Sequence, residues 1–134
     1  MAQTTELSVK ELERQAGLVF GGKTAYAMLC SPGFSSFTAA STVAQWQTVE
    51  VTGNGYTRKS APLLAGSYDT TLGLFRIPDV DFEFTSTGAG YFYDRVILYF
   101  SGETYIHSMI TESPGITMVP GMKQTYRISF RQDD

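Results

Sequence analysis

Residues 17–24 carry the closest match to a chemical motif in this chain of 134 residues. They read GLVFGGKT and satisfy G-x-x-x-x-G-K-[ST], the pattern of a phosphate-binding loop. Such a loop joins a buried strand to a helix, because the amides at the helix N-terminus bind the phosphates. Here a predicted helix precedes the motif, and its Leu-Val-Phe run suits a strand better than a phosphate cradle. We therefore predict a β-hairpin that turns at Gly21-Gly22 and binds no nucleotide.

One predicted strand has carboxylates at alternate positions, namely Asp79, Asp81 and Glu83. On one face of a strand such side chains are about 6–7 Å apart. That spacing would suit a calcium site completed by another loop, for example through Asp69, or the acid pair of a glycosidase. We favour a solvated outer face opposite buried Phe82 and Phe84, since half-exposed antiparallel strands alternate in this way. The sequence leaves cation binding by the three carboxylates open.

The single histidine and the single cysteine do not form part of a recognisable site. His107 lies in the middle of a predicted strand, without Ser, Cys or Asp partners at the spacing of a catalytic triad or a zinc site. Cys30 precedes a Ser-Pro-Gly turn, where nothing nearby would lower the pKa of its thiol, so we predict a small, half-buried and unreactive side chain. We therefore assign no catalytic, cofactor-binding or metal-binding residue.

Aromatic side chains are the remaining candidates for ligand binding. A sugar-stacking platform would draw on Trp46, Tyr56, Tyr68, Tyr91, Tyr93 and Tyr99. Aromatic residues at alternating strand positions more often pack in the core and across strands, and we favour that interpretation.

Composition and charge exclude several classes of protein. The hydrophobic fraction of 43%, the charged fraction of 17%, and nine Phe and eight Tyr residues predict one folded domain rich in sheet. The net charge of −3 is scattered along the chain and predicts no binding to nucleic acid or to an anionic membrane. No run of about 18 apolar residues is present. The polar start does not resemble a secretory signal peptide, so we expect synthesis in a reducing cytoplasm.

The elements that must position these residues repeat one unit, an apolar or alternating run followed by a Gly, Pro or Asn-Gly turn. This rhythm predicts an all-β fold, an antiparallel β-sandwich or jelly-roll-like domain over residues 17–134. Strands are predicted at residues 23–29, 43–51, 71–77, 80–85, 91–100, 104–111, 116–119 and 122–131. Turns are predicted at residues 54–55, 66–70, 88–90, 102–103, 114–115 and 120–121. The 91–100 strand is expected at the centre, and the predicted core comprises Phe82, Phe84, Val96, Leu98, Phe100, Ile128 and Phe130.

Residues 1–16 form a separate N-terminal arm in this interpretation. Ser8 and Glu11 make a capping-box pattern and Gly17 can end a helix, which predicts a short helix over residues 8–16. Val9, Leu12 and Ala16 lie on one face of it. That apolar stripe is too narrow to add much to the domain core, so we expect the arm to act in assembly.

The stretch from residue 17 to about residue 100 resembles small structural proteins of tailed bacteriophages, particularly those of cyanobacterial hosts. The resemblance covers about two-thirds of the chain and depends on five phrases in order: GLVFGG, GFSSFTAASTVAQWQTVEV, GNGYTRK, GSYDTTLGLFRIPDVDFEF and TSTGAGYFYDRVILYF. It implies a β-rich virion component present in many copies. It supplies no catalytic residue.

These expectations combine into one functional hypothesis and two alternatives. The hypothesis is a non-enzymatic virion protein without a cofactor. It forms homo-oligomers and decorates the capsid by docking on the major capsid protein. The first alternative is a tail, neck or fibre-associated protein with glycan recognition. The second is a small hydrolase that uses the acidic strand.

Overall fold

The computed structural model describes residues 23–33, 36–63, 67–69, 71, 74–76 and 78–129. The predicted arm, its helix, the first half of the predicted hairpin and Phe130 lie outside these residues. The elements are β1 (Thr24–Cys30), α1 (Val43–Gln47), β2 (Lys59–Pro62), β3 (Ser67–Asp69), β4 (Leu74–Arg76), β5 (Val80–Thr85), β6 (Tyr91–Phe100), β7 (Ser108–Met118) and β8 (Lys123–Ile128). All of the strand pairs among these residues are antiparallel, which confirms the predicted all-β class.

The largest sheet of the described chain has four strands in the order β2-β1-β6-β7. Strands β5 and β8 form a two-stranded sheet, and β3 pairs with β4 in another. The predicted 80–85 and 91–100 strands are confirmed as β5 and β6. Strand β6 is central as expected, because Leu98 pairs with Ala27 of β1 on one side and with Ser108 of β7 on the other.

The main core lies between the four-stranded sheet and the β5–β8 sheet. It is formed by alternate residues of β1, β5 and β6, among them Ala25, Ala27, Leu29, Phe82, Phe84, Tyr93, Val96, Leu98 and Phe100. Five of the predicted core residues are therefore confirmed as buried, and Ile128 packs against them half-buried. The alternation of side chains along a strand explains this success, because it separates an inward from an outward face.

A second core covers the opposite face of the same sheet. Helix α1 places Val43 and Trp46 over a layer of sheet residues comprising Met28, Cys30, Ile97 and Tyr99. Phe37 packs edge-on against the Trp46 ring, with 5.6 Å between the ring centroids. The indole Nε1–H of Trp46 donates to the Thr38 carbonyl at 3.2 Å. Both faces of the four-stranded sheet are thus covered in this part of the molecule.

The predicted strand over residues 43–51 is wrong, because its first half is helix α1. Thr42 and Gln45 form a capping box: the Gln45 amide donates to Thr42 Oγ1 at 3.2 Å, and the Thr42 amide donates to Gln45 Oε1 at 2.8 Å. Val43 and Trp46 are three residues apart and therefore face the sheet together. None of the described helices is long and apolar enough to cross a membrane.

Three further predicted boundaries are corrected. The predicted turn over residues 66–70 contains strand β3, which pairs with β4. The strand predicted at 104–111 begins at Ser108, because a turn and an isolated bridge precede it. The turn predicted at Pro114-Gly115 does not reverse the chain: Thr111 pairs with Arg95 and Ile116 with Tyr93, so residues 112–115 bulge out opposite Asp94 alone.

The predicted Asn-Gly turn at residues 54–55 is confirmed. Asn54 has φ of 54° and Gly55 has φ of 84°, both in the left-handed region that Asn and Gly tolerate. The Tyr56 amide closes this turn by donating to the Gly53 carbonyl at 3.0 Å. The turn returns the chain to β2, which pairs with β1.

Candidate functional site

The residues that follow the apparent phosphate-binding motif are in a strand. Thr24 is the first residue of β1, so the predicted strand at residues 23–29 is confirmed. The described partners of β1 are β2 and β6, and the predicted hairpin pairing lies outside the described residues. The Lys23 ammonium lies 5.2 Å from the centroid of the Phe100 ring and 3.9 Å from Glu103 Oε1. A phosphate loop needs a helix N-terminus after its Lys-Thr pair. In this chain the residues that follow the Lys-Thr pair form strand β1 and not a helix.

The acidic strand is paired with basic side chains on β8 and with the hydroxyl of Ser129, which follows β8. Arg127 donates from Nε and Nη2 to the two carboxylate oxygens of Asp81, at 2.9 and 3.2 Å. The Ser129 hydroxyl donates to Asp79, and Lys123 Nζ lies 4.0 Å from Glu83 Oε1. These hydrogen bonds from Arg127 lower the pKa of Asp81 below its ordinary value.

The position of this strand confirms the predicted outer face. Asp81 and Glu83 are exposed, whereas Phe82 and Phe84 between and beyond them are buried. Among the described residues, no group of three His, Cys, Asp or Glu side chains is placed to hold a metal ion. The described contacts of this strand are cross-strand hydrogen bonds and ion pairs.

A polar junction that the sequence analysis missed surrounds Glu50. Arg58 donates to both carboxylate oxygens of Glu50, from Nη2 at 2.5 Å and from Nε at 3.0 Å. The Tyr56 hydroxyl donates to Glu50 Oε2 at 2.6 Å and accepts from the Leu29 amide at 3.0 Å. Burial and the hydrogen bond to Glu50 raise the pKa of Tyr56. The Asn54-Gly55 turn is the available sequence signal, because residues that flank a tight turn are brought together.

A second hydrogen-bonded network of side chains links β6, β7 and β8. The hydroxyl oxygens of Tyr93 and Tyr126 are 2.7 Å apart, and the Tyr126 hydroxyl donates to Glu112 Oε1 at 2.8 Å. Burial raises the pKa of both tyrosines. These hydrogen bonds satisfy the two tyrosine hydroxyls at the edge of the main core, because polar groups removed from water need hydrogen-bond partners.

The aromatic residues proposed for a sugar platform are divided between the two cores. Trp46 and Tyr99 are buried on the α1 side, whereas Tyr93 is buried on the opposite face. Tyr56 is half-buried, with its ring 6.1 Å from that of Phe84 and 5.7 Å from that of Tyr91. The described members therefore pack as core and cross-strand residues, which confirms the interpretation favoured from the sequence.

Cys30 and His107 differ from their predicted environments. Cys30 is fully buried and not half-buried, and its thiol donates to the Trp46 carbonyl at 3.5 Å. Burial, with a smaller contribution from Glu50, raises the pKa of Cys30 to about 12. His107 lies just before β7 and is exposed, with its ring 5.2 Å from the Phe100 ring and its Nδ1 3.1 Å from Ser108 Oγ.

An open groove lies between the start of β7 and the end of β8. Its volume is about 500 Å³, and it is lined by Leu98, His107, Ser108, Ile110, Arg127, Ile128 and Ser129. Arg127 on its rim is already held by Asp81, and Ser129 by Asp79. The groove thus has an apolar floor, and the positive charge of Arg127 on its rim is neutralised by Asp81.

Comparison with known proteins gives no further assignment. The chain matches no protein-family model, no curated protein and no solved structure.

Proposed function

We propose that this protein is a non-enzymatic structural component of a tailed bacteriophage virion, and that it decorates the capsid by docking on the major capsid lattice. The observation that supports this function is that the side chains with reactive groups are bound or enclosed by other groups of the protein. Asp81 is bound by Arg127, Glu50 by Arg58 and Tyr56, and Cys30 is enclosed beneath Trp46. A catalytic group has to reach its substrate, whereas these groups hold strands and loops together.

The surface of the described domain supports docking. Phe92, Tyr105 and Val119 are large apolar side chains that are 47%, 68% and 53% exposed. Aromatic and aliphatic side chains of this kind supply the contacts that anchor protein interfaces. When many copies bind one lattice, a modest interface at each copy is sufficient, because every additional contact on a copy raises its avidity. The resemblance of residues 17–100 to phage structural proteins supports a phage particle as the site of assembly.

Cryo-electron microscopy of purified particles of the phage that encodes this sequence tests the proposal. The expected result is density for the domain on the outer capsid surface, repeated with the symmetry of the major capsid protein. Quantitative mass spectrometry of the same particles should give a copy number in fixed proportion to that protein. Density confined to the tail, neck or fibres would replace decoration with the tail-associated alternative, and absence from the particle would refute both.

The acidic strand provides a test against the hydrolase alternative. The double variant Asp81→Asn with Glu83→Gln removes both carboxylates but keeps their shape, so it should bind particles as the original protein does. Hydrolysis of a polysaccharide by the original protein that is abolished in this variant would show that the domain is an enzyme.

The N-terminal arm is part of this proposal as an assembly element. Deleting residues 1–16 should leave a folded β domain with nearly the same melting temperature, yet reduce oligomerisation or particle binding. A deletion variant that does not fold would instead make the arm part of the core.

A further inference from the structure

Asn54 is the only asparagine in the chain, and it is followed by Gly55. An Asn-Gly pair loses its side-chain amide readily, because glycine has no side chain to keep its backbone nitrogen away from the carboxamide. The Gly55 nitrogen attacks Asn54 Cγ and forms a bond to it, the Cγ–Nδ2 bond breaks, and ammonia leaves with the Gly55 amide proton. Water then opens the cyclic imide at either carbonyl and gives aspartate or isoaspartate. The reaction consumes water, releases ammonia and needs no other reactant.

Hydrogen bonds hold both the side chain and the backbone of Asn54 against the connection between β5 and β6, residues 86–90. The Asn54 carboxamide donates from Nδ2 to the Gly90 carbonyl at 2.6 Å. The Asn54 backbone carbonyl accepts from the Thr87 amide at 2.8 Å. Ring closure requires the carboxamide to turn its carbon towards the Gly55 nitrogen. The hydrogen bond to Gly90 therefore has to break before the reaction can begin.

The contact between this turn and the 86–90 connection is also close in space. A Cβ on Gly55 would lie 2.8 Å from Thr87 Oγ1, and a Cβ on Gly88 would lie 3.2 Å from Asn54 Oδ1. The carboxamide thus has little room to turn while the connection is in place. Asn54 and Gly55 are nevertheless exposed, so water reaches them as soon as the connection moves away.

We propose that Asn54 is a site of spontaneous deamidation and that the 86–90 connection guards it. Connections of this kind open locally at a smaller free-energy cost than global unfolding, and each opening allows the ring to close. The product carboxylate has no N–H to donate to the Gly90 carbonyl, so the modified turn loses its side-chain link to the connection. The modification therefore accumulates with the time that this end of the domain spends open. This inference goes beyond the proposed function and does not depend on it.

Incubation of the full chain in mildly alkaline buffer measures the reaction, with intact mass and enzymatic methylation of isoaspartate as readouts. The chain has no second asparagine and no Asp-Gly pair, so peptide mapping can assign the isoaspartate to Asn54. The reference is a synthetic peptide of residues 49–59, in which no connection guards the pair. We expect the folded chain to react at least about tenfold more slowly than the peptide. Equal rates would overturn the guard, and a peptide that does not react would overturn the site.

Gly90→Ala tests the guard directly. A Cβ on Gly90 would lie 1.9 Å from the Met118 carbonyl oxygen, so the connection has to shift, and deamidation of Asn54 should become about threefold faster or more. Gly102→Ala is the matched control beyond the opposite end of β6. Both glycines have positive φ, 76° and 83°, but a Cβ on Gly102 would meet no atom within 4 Å. The control should leave the rate unchanged, and equal acceleration in both variants would overturn the guard.

Gly88→Ala keeps the test decisive if Gly90→Ala does not fold. Its methyl group would press on Asn54 Oδ1 and displace the carboxamide, so it should also accelerate the reaction. No acceleration in a folded Gly88→Ala would overturn the guard. Asn54→Asp reproduces one product, and hydrogen exchange at the Thr87 amide should be faster in it than in the original protein. Unchanged exchange would overturn the proposed loss of the link.

Discussion

The two coverings of the four-stranded sheet are held in different ways. On one face, β5 and β8 pair over six residues each and bury Phe82 and Phe84 in a regular pattern. On the other face, the five-residue helix α1 depends on Trp46, on its capping box and on the nearby Glu50 junction. A helix of this length is not stable by itself. One covering is therefore maintained by a repeated ladder and the other by a few anchors, and the two should respond differently to mutation.

The largest effects are expected in the main core. Phe84→Ala and Leu98→Ala each remove a buried side chain and leave a cavity, which should reduce the free energy of unfolding by about 2–5 kcal/mol. Urea denaturation followed by tyrosine and tryptophan fluorescence measures this change. Because these residues lie between the two sheets, unfolding should remain one cooperative transition. Unchanged stability in both variants would contradict the strand register.

Trp46→Phe should loosen the α1 side locally. It removes the indole hydrogen bond to Thr38 and part of the buried volume, at a cost of about 1–3 kcal/mol. Cys30 lies beneath α1, so its rate of alkylation reports the opening of this covering. We expect faster alkylation in native buffer for Trp46→Phe than for a Leu98→Ala variant compared at equal global stability. Equal rates would mean that both coverings open only with global unfolding.

Glu50→Ala tests the anchor that follows α1. It leaves the Tyr56 hydroxyl and the Arg58 guanidinium without their shared acceptor, and should cost about 1–3 kcal/mol in chemical denaturation. Asp81→Ala is the matched control, because it removes the carboxylate of an Arg pair that is exposed. Exposed pairs contribute about 0–1 kcal/mol, so the control should change stability less. A larger loss of stability in Asp81→Ala than in Glu50→Ala would mean that the exposed Asp81–Arg127 pair, and not the Glu50–Arg58 pair, is the stronger anchor.

Thr42→Ala removes the capping hydroxyl of α1. The Gln45 amide loses its acceptor, and the expected cost is about 1 kcal/mol. Thr42→Ser keeps the hydroxyl and should behave as the original protein. Thermal unfolding by circular dichroism distinguishes the two variants. Equal loss in both would mean that the methyl group of Thr42, and not its hydroxyl, stabilises the helix.

The smallest effect is the pH dependence that comes from Asp81. Its pKa is lowered by Arg127, so the stabilisation it supplies is present above the ordinary Asp value of 3.8 and is lost as pH falls through the lowered value. Arg127→Gln should therefore flatten the fall in stability with decreasing pH in that acid range. Unfolding curves measured at steps below pH 4 provide the comparison. A steeper fall in Arg127→Gln would contradict the assigned sign.

The same contrast explains how much of the fold could be predicted from the sequence. The alternation in β5 and the apolar end of β6 identified the main core, because a period of two separates the faces of a strand. In residues 43–51 the apolar positions fit both a strand and one turn of helix, and Thr42 with Gln45 was the capping signal that decides between them. The Glu50 junction depends on which segments meet in space, so residue type and local spacing alone could not reveal it.

The bulge at residues 112–115 should lower the tendency of this protein to aggregate through its edge strand at high concentration. Strand β7 is at the end of the four-stranded sheet in the described chain, and a long, flat edge strand can recruit further strands without limit and grow fibrils. Four residues opposite Asp94 break the regular spacing of its outer backbone groups, and Pro114 offers no amide to an incoming strand. An edge interrupted in this way should resist amyloid-like growth when the protein is concentrated.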